Sequence, residues 1–365
     1  NLVWAKEQAA TYLTSTNDYK NSGKALEIIR QGTEDGQIPE ALLPLYLRIL
    51  PSRGDPGSFL EAINMMAKLY EQGRLDKSQQ LLLAKLYERT HRWEQGKDLM
   101  LNTLSRYGTD EEVWTTYISL LIKQGEFSTA KSRINRFSDI TDNQMLVARL
   151  SGALAYEQGD QSGVQRALRS VLPSKSLTGA LSESELATIR NVAGMAMNYG
   201  EYEFAEKLLR LYVTRKNPEG IFDLIAVLAY HGNAEEALQY MEKAVSAEPM
   251  AVARIAMQAM RTRAKELDQA SRDRLWNLIS QVIAQDLEDP ARAMMKGEGF
   301  ETLEKYDEAI DAYEEALENP DMSPPQKAIA YNNLSYLLAQ RGERLEGDER
   351  LISDASEIRG PLADI

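Results

Sequence analysis

The stretch LEKYDEAIDAYEEA, from Leu303 to Ala316 and closed by Pro320, decides the fold class. Ala309, Tyr313 and Ala316 are separated by four and three residues, so they lie on one face of an α-helix. The small residue at the first of these positions lets a neighbouring helix approach closely. We therefore predict a helix that packs tightly against a partner helix.

The same spacing of a small, a large and a third small or apolar residue recurs along the chain. We call its first position the anchor. Anchors occur at positions 25, 62, 96, 130, 164, 205, 237 and 309, with a weak copy at Ala270 and a degenerate one at Asp348. Three consecutive steps are 34 residues long and the mean step is near 36. Such a period is typical of an array in which each repeat is one helix pair.

A second amphipathic helix precedes each anchor. In the clearest copy, Trp114, Tyr117, Ile118 and Leu121 follow the i, i+3, i+4, i+7 pattern of one buried stripe. A Gly between the two helices predicts a left-handed cap that ends the first helix. These Gly residues stand at positions 125, 159, 200 and 232.

Helix starts carry their own signals. Ser182 precedes Glu185, and Ser323 precedes Gln326, by the three residues of a capping box. Pro324 adds the proline that is favoured at the first helical position.

The pattern resembles the tetratricopeptide repeat (TPR), whose signature is W-x2-L-G-x2-Y, then A-x3-F, then P. Trp114, Tyr117 and Leu121 match its first helix, and Gly297 and Phe300 take the Gly and Tyr places in a later copy. The resemblance implies an all-α, right-handed superhelical solenoid of about ten antiparallel helix pairs, of bacterial type.

We predict one continuous array over residues 1–365. Its repeats are divergent over 1–109, clear over 110–249 and degenerate over 250–289, and its C-terminal repeats, over 290–365, are truncated in the next repeat. The chain begins with Asn and ends as a new helical pattern starts, so we expect it to be a part of a longer protein. The localisation stays undetermined.

One repeat is longer than the others because Pro173–Glu183 inserts a Ser-, Gly- and Pro-containing segment. It is interpreted as a plain loop, with a lip over the groove as the less favoured alternative.

Composition excludes several kinds of chemistry. The 365 residues include no Cys and two His, which excludes disulfides, thiolate metal sites and multi-histidine metal sites. His91 and His231 fall in predicted turns and are interpreted as solvent-facing. Gly297–Gly299 lacks the third Gly of a dinucleotide fingerprint. We therefore predict no catalytic residue, no metal site and no cofactor.

The net charge of −13 is concentrated in one segment. Residues 286–321 hold 13 acidic and three basic residues, a net charge of −10. An acidic surface repels phosphates, so we predict no nucleic-acid partner. The segment is a candidate landing site for a basic partner, although a solvated helix face is the favoured interpretation. No apolar run reaches the roughly 18–20 residues of a membrane-spanning helix, so we predict no membrane segment within this sequence.

The resemblance also implies a binding surface, because the first helices of such repeats line a concave groove. Side chains off the buried stripe then point into it, and exposed aromatic and Arg side chains are typical of protein-binding hot spots. The candidate residues for binding a partner are Arg149, Tyr156, Arg190, Met197, Asn198, Phe222, Tyr230, Asn332 and Tyr336. The alternative is that several of them pack against neighbouring repeats.

The sequence therefore predicts a non-enzymatic scaffold that binds a peptide or a protein partner in its concave groove. A regulatory or substrate-presenting arm of a larger multidomain enzyme is the first alternative. An enzyme with a site that the sequence does not reveal is the second and least favoured.

Overall fold

A computed structural model describes residues 2–15, 18–31, 38–173, 180–216, 220–263, 265–284 and 289–341. Within these ranges the chain forms α-helices and one short 3-10 helix, Glu40–Leu42. The described helices are α1 (Leu2–Ser15), α2 (Tyr19–Arg30), α3 (Leu43–Ser52), α4 (Pro56–Glu71), α5 (Lys77–Arg89), α6 (Trp93–Arg106), α7 (Glu111–Lys123), α8 (Phe127–Ser138), α9 (Gln144–Glu157), α10 (Gln161–Ser170), α11 (Glu183–Asn198), α12 (Tyr202–Lys216), α13 (Ile221–His231), α14 (Ala234–Ala244), α15 (Pro249–Thr262), α16 (Gln269–Ile283), α17 (Pro290–Thr302), α18 (Tyr306–Leu317) and α19 (Pro324–Arg341).

The chain divides into two compact units. Unit 1 combines Asn1–Arg92 with Ile283–Ile365, and unit 2 is Trp93–Val282. The single array over 1–365 and its internal boundaries stay predictions.

Within each unit, helices that follow one another along the chain pack side by side. In unit 2 this holds for α7 to α10 and for α11 to α15, and in unit 1 for α1 to α5 and for α17 to α19. Helices two places apart also touch, as α7 touches α9 and α13 touches α15. Short turns join helices that follow one another along the chain, so these consecutive helices run antiparallel. The predicted all-α fold of stacked helix pairs is confirmed.

The predicted anchors lie in the even-numbered helices, and six of them are fully buried alanines. They are Ala25, Ala62, Ala130, Ala205, Ala237 and Ala309. The anchor predicted at Ala270 is wrong, because this residue is exposed at the start of α16. Leu275, Ile279 and Val282 are buried there instead and repeat the spacing of four and three. Asp348 lies outside the described residues, as does the 174–179 part of the predicted insertion.

The turns within the helix pairs are left-handed caps at three of the four predicted Gly positions. Gly125, Gly159 and Gly200 have φ near +70°. At the first of them, Glu126 N–H donates to Leu121 O at 2.9 Å, which closes a Schellman motif. The cap predicted at Gly232 is wrong: its φ is −110°, because its N–H continues the helical bonding to Leu228 O.

The predicted helix starts are present. Ser182 and Glu185 form a complete capping box at α11, and Ser323 N–H donates to Gln326 Oε1 at 2.9 Å before α19. Because these bonds satisfy donors that no helical carbonyl can reach, they fix where each helix begins.

Polar side chains join successive helix pairs of unit 2. Lys97 Nζ on α6 contacts Glu126 before α8 at 2.7 Å, and Trp93 Nε1 donates to the same carboxylate at 2.6 Å. Further along, Gln165 Nε2 donates to Glu201 at 2.9 Å. Glu126 and Glu201, each placed just before a second helix, therefore link their repeat to the preceding one.

Candidate binding surface

The first helices α9, α11 and α13 of unit 2 carry seven of the nine predicted binding residues. Exposed members are Arg149, Tyr156, Arg190 and Asn198, and half-buried members are Met197, Phe222 and Tyr230. The structure brings these seven into one unit, on helices that are adjacent in the order of repeats. Their role in binding stays a prediction.

Tyr156 and Tyr199 form an aromatic pair at the C-terminal ends of α9 and α11. Their ring centroids are 5.7 Å apart and their planes are inclined by 36°. The side chain of Tyr156 is among the most exposed of the large apolar side chains described, at 51%. Tyr156 therefore presents an aromatic surface to solvent, and the half-buried ring of Tyr199 packs against it.

Tyr199 is fixed by two further contacts with α9. Its hydroxyl donates to Arg149 O at 2.9 Å, and its ring covers Gly152 so closely that a Cβ there would lie 2.7 Å from Cε2. Burial raises the pKa of Tyr199, and the nearby Arg149 guanidinium opposes that rise. Arg149, Tyr156 and Tyr199 thus form one cluster, which we call the Tyr156 cluster.

Sequence reasoning missed Tyr199 as a site residue because the pattern placed it in a turn. The available signal was Gly152, which stands at the Gly place of the repeat motif in α9. A Gly on a helix face leaves room for a ring from another element.

Arg190 on α11 joins Asp223 on α13. Its Nε lies 2.8 Å from Asp223 Oδ2, and the two side chains are 45% and 41% exposed. The guanidinium also lies over the ring of Tyr212, 5.7 Å from its centroid. This ion pair raises the pKa of Arg190. Arg190 therefore reaches the predicted surface, but it also links two repeats.

The C-terminal end of α13 carries a second aromatic group. The ring of His231 stacks on Tyr202, with centroids 3.3 Å apart, and meets the ring of Tyr230 edge-on at 6.4 Å. Desolvation and the charge of Arg263 lower the pKa of His231. His231 is exposed as predicted, but it is the last residue of α13 rather than a turn residue, and one face of its ring is covered.

The remaining two predicted residues, Asn332 and Tyr336, lie on α19 in unit 1, and both are exposed. The adjacent Asn333 has a structural contact, since its Nδ2 donates to the hydroxyl of the buried Tyr313 at 3.0 Å.

Of the acidic segment 286–321, the structure describes residues 289–321. On α18, Asp307, Asp311 and Glu314 are exposed at the spacing of one helix face, and the exposed C-cap residue Glu318 continues it. Lys296 contacts a neighbouring carboxylate, that of Glu315, at 2.5 Å. The segment thus presents a continuous row of negative charge.

In the described part of the chain, no three His, Asp or Glu side chains are placed to hold a metal ion. No described helix is both long enough and apolar enough to cross a membrane.

No protein-family model matches the chain, and no curated protein matches it significantly. Solved structures that resemble it include "MamA RS-1 ArsTM double mutant", at 16% identity and a TM-score of 0.33. Another is "MamA 41-end from Desulfovibrio magneticus RS-1", at 15% identity and a TM-score of 0.34. Each match covers 49% of this chain and 96% of the other. TM-scores this far below 0.5 are too low to bear on fold or function.

Proposed function

We propose that the chain is a TPR-type, non-enzymatic scaffold that holds a peptide or protein partner on the first-helix face of unit 2. The observation that carries this proposal is the Tyr156 cluster. It combines the exposed Tyr156 and the half-buried Tyr199 with the exposed Arg149, and Tyr and Arg are residue types enriched at the energetic centres of protein interfaces.

The cluster is organised before a partner arrives. Tyr199 is held by its bond to Arg149 O and by its close packing on Gly152, so little side-chain freedom is lost there on binding. Pre-organised contacts of this kind raise affinity because they reduce the entropic cost of association. The tyrosine rings supply apolar contact area, and the Arg149 guanidinium supplies donors for a carboxylate or a backbone carbonyl.

Arg190, Phe222 and Tyr230 extend the proposed surface along the next helices. Arg190 already contacts Asp223, so a partner that binds its guanidinium competes with this carboxylate. The residues on α19, Asn332 and Tyr336, are proposed as a separate contact in unit 1.

Site-specific photo-crosslinking in the source organism tests the proposal. A photoreactive phenylalanine analogue replaces Tyr156 in one variant and Tyr12 in the matched control, since Tyr12 is also an exposed tyrosine, at 74%, and belongs to no proposed contact. We expect a discrete adduct from position 156 and none of the same mass from position 12. Identical adducts from both positions, or none from position 156, would contradict the proposal.

The identified partner then allows a binding measurement. Arg149→Ala is expected to weaken binding at least tenfold without changing the melting temperature. Arg136→Ala, which removes an exposed Arg from α8, serves as the control and should bind as the wild type does. A partner that is covalently altered by the purified chain would instead support an enzyme.

The exposed acidic face of α18 is proposed as a contact for a basic partner. Its test is the ionic strength: affinity should fall as NaCl rises from 50 to 300 mM, because salt screens exposed charges. The double variant Asp311→Asn, Glu314→Gln should reduce the dependence of affinity on NaCl. An unchanged dependence would contradict a role of the α18 face in binding.

A further inference from the structure

A groove runs between α8 and α10, on a part of unit 2 that the Tyr156 cluster does not use. Both helices pack on α9, and the space between them forms an open cavity of about 340 Å³. We call it the α8–α10 groove. Its size falls within the range of pockets that bind small ligands and short peptide segments.

The floor of the groove is one face of α9. Ala148, Ser151 and Ala155 form its centre, and Gln144 and Gln158 stand at its two ends. Residues spaced by three and four lie on one side of a helix, and at about 100° per residue this side is well separated from Arg149 and Tyr156. The small central side chains leave room for a bound chain, and the amides can donate to and accept from a peptide backbone.

The two walls carry positive charge. Lys131 stands on the α8 wall and Arg166 on the α10 wall. The sequences of these two helices, FSTAKSRINRFS and QSGVQRALRS, contain five Lys or Arg residues and no Asp or Glu. Residues outside 286–321 carry a net charge of only −3, and within them these two helices form a local excess of positive charge.

Two of these cations have contacts elsewhere. Arg133 lies over the ring of Tyr117, 5.7 Å from its centroid, and Arg169 lies over the ring of Phe204 at 5.3 Å. Such contacts hold a guanidinium against an aromatic face. Lys131 and Arg166 are exposed and line the groove.

The lining includes one carboxylate, that of Asp160, and this group caps α10. It accepts the Gly163 N–H at 2.9 Å and the Ser162 hydroxyl at 2.8 Å. These two bonds, with Arg166, hold the pKa of Asp160 below its usual range. Arg166 reaches Asp160 only at 3.3 Å and remains 71% exposed. The lining thus contains two cations and one ionised carboxylate, which leaves the groove with a net charge of +1.

We propose that the α8–α10 groove is a second docking site, and that its occupant is a short acidic peptide segment of a protein partner. Carboxylates of this segment contact Lys131 and Arg166, and its backbone lies along the small residues of α9 between Gln144 and Gln158. Charge complementarity selects this occupant.

A peptide-display selection tests the proposal even before the partner has been identified. A library of random 12-residue peptides is selected on the wild-type chain and counter-selected on the double variant Lys131→Glu, Arg166→Glu. We expect the enriched peptides to contain clusters of Asp and Glu. Enriched peptides without an acidic excess, or binders that do not distinguish the two proteins, would overturn the proposal.

Fluorescence anisotropy with the most enriched peptide then assigns the residues. Lys131→Glu and Arg166→Glu should each weaken binding at least tenfold. The matched control is Arg136→Glu, which makes the same charge change on an exposed residue of α8 outside the groove lining. It should change the affinity less than threefold. Equal losses from all three variants would show a general charge effect and contradict a built groove.

Two further measurements distinguish an acidic peptide from a second copy of the chain as the occupant, and the α8–α10 groove from the Tyr156 cluster. Analytical ultracentrifugation reports self-association, and association that is lost in Lys131→Glu without peptide binding would make a second copy of the chain the occupant. The variant Arg149→Ala should bind the acidic peptide as the wild type does. A failure at this groove therefore leaves the proposed function of the Tyr156 cluster unaffected.

Discussion

Gly297 on α17 and Tyr313 on α18 approach so closely that a Cβ at Gly297 would lie 2.5 Å from Cε1 of the tyrosine. The ring is fully buried and is held at its far end. Its hydroxyl donates to Glu301 at 2.9 Å and accepts from Asn333 at 3.0 Å. The small residue of the first helix and the aromatic residue of the second thus define the distance between α17 and α18.

This contact predicts that Gly297→Ala destabilises the protein. The ring cannot swing away without breaking its bonds to Glu301 and Asn333, so the overpacking is expected to cost about 1–3 kcal/mol. Urea unfolding followed by circular dichroism measures the change.

The matched control is Gly194→Ala in α11, where an added Cβ meets nothing within 4 Å. Because Ala is the better helix former, this variant should gain about 0.5–1 kcal/mol. A loss of stability in both variants would mean that the close approach to Tyr313 is not the cause.

Much of the repeat architecture follows from the sequence because it depends on local spacing. The period of the anchors, the capping box at Ser182 and the left-handed caps at Gly125, Gly159 and Gly200 are all set by residues within one or two turns. The anchor predicted at Ala270 is wrong because the residues four and seven places further on, Arg274 and Asn277, are polar. Leu275, Ile279 and Val282 supply apolar residues at the same spacing and are buried instead.

The binding surface was less predictable because its geometry depends on contacts between elements far apart in the chain. Tyr199 contacts Tyr156 only when α11 lies beside α9. The sequence signal for this contact was Gly152, whose lack of a side chain leaves room for the Tyr199 ring. The α8–α10 groove depends on how far apart two second helices stand on α9, and no local spacing encodes that distance.

Among the residues that the structure describes, two helix caps are left-handed without a Gly, which predicts a stabilising substitution. Glu304 has φ of +60° and His91 has φ of +57°, a region that costs a residue with a Cβ roughly 1–2 kcal/mol. Glu304→Gly removes that cost but makes the unfolded chain more flexible. We expect a net gain of up to about 1 kcal/mol in thermal or urea unfolding.

Glu314→Gly is the control for charge, since it removes an exposed carboxylate from the same acidic segment but within α18. A Gly inside a helix should cost about 1 kcal/mol. If Glu304→Gly were also destabilising, the backbone strain at position 304 would not be the dominant effect there.

The pair of Lys97 and Glu126 predicts a dependence of stability on pH. Partial burial raises the pKa of Glu126, but hydrogen bonds from Lys97 and Trp93 outweigh it, so the pKa lies below the ordinary value of 4.5. A carboxyl group with a lowered pKa stabilises the folded state above pH 4.5, and this contribution is lost as the pH falls through the lowered value.

Glu126→Gln is therefore expected to lose about 0.5–1 kcal/mol at pH 7, since the pair is partly exposed and screened. The difference between the variant and the wild type should shrink as the pH is lowered from 5 to 3. Melting temperatures across this range measure it, with Glu203→Gln, an exposed carboxylate on α12, as the control. A difference that does not change with pH would show that the charge of Glu126 is irrelevant.

The ion pair of Arg190 and Asp223 allows the structural and the binding role of Arg190 to be separated. A double-mutant cycle with Arg190→Ala, Asp223→Ala and both changes should give a coupling energy of about 0.2–1 kcal/mol in unfolding, because both side chains are nearly half exposed.

The cycle is then repeated with the partner identified by crosslinking. If Arg190 contacts the partner, Asp223→Ala strengthens binding, since it releases the guanidinium from its competitor, and Arg190→Ala weakens it. If Arg190 only links α11 to α13, the two single variants change the affinity equally, and the binding surface ends at the Tyr156 cluster.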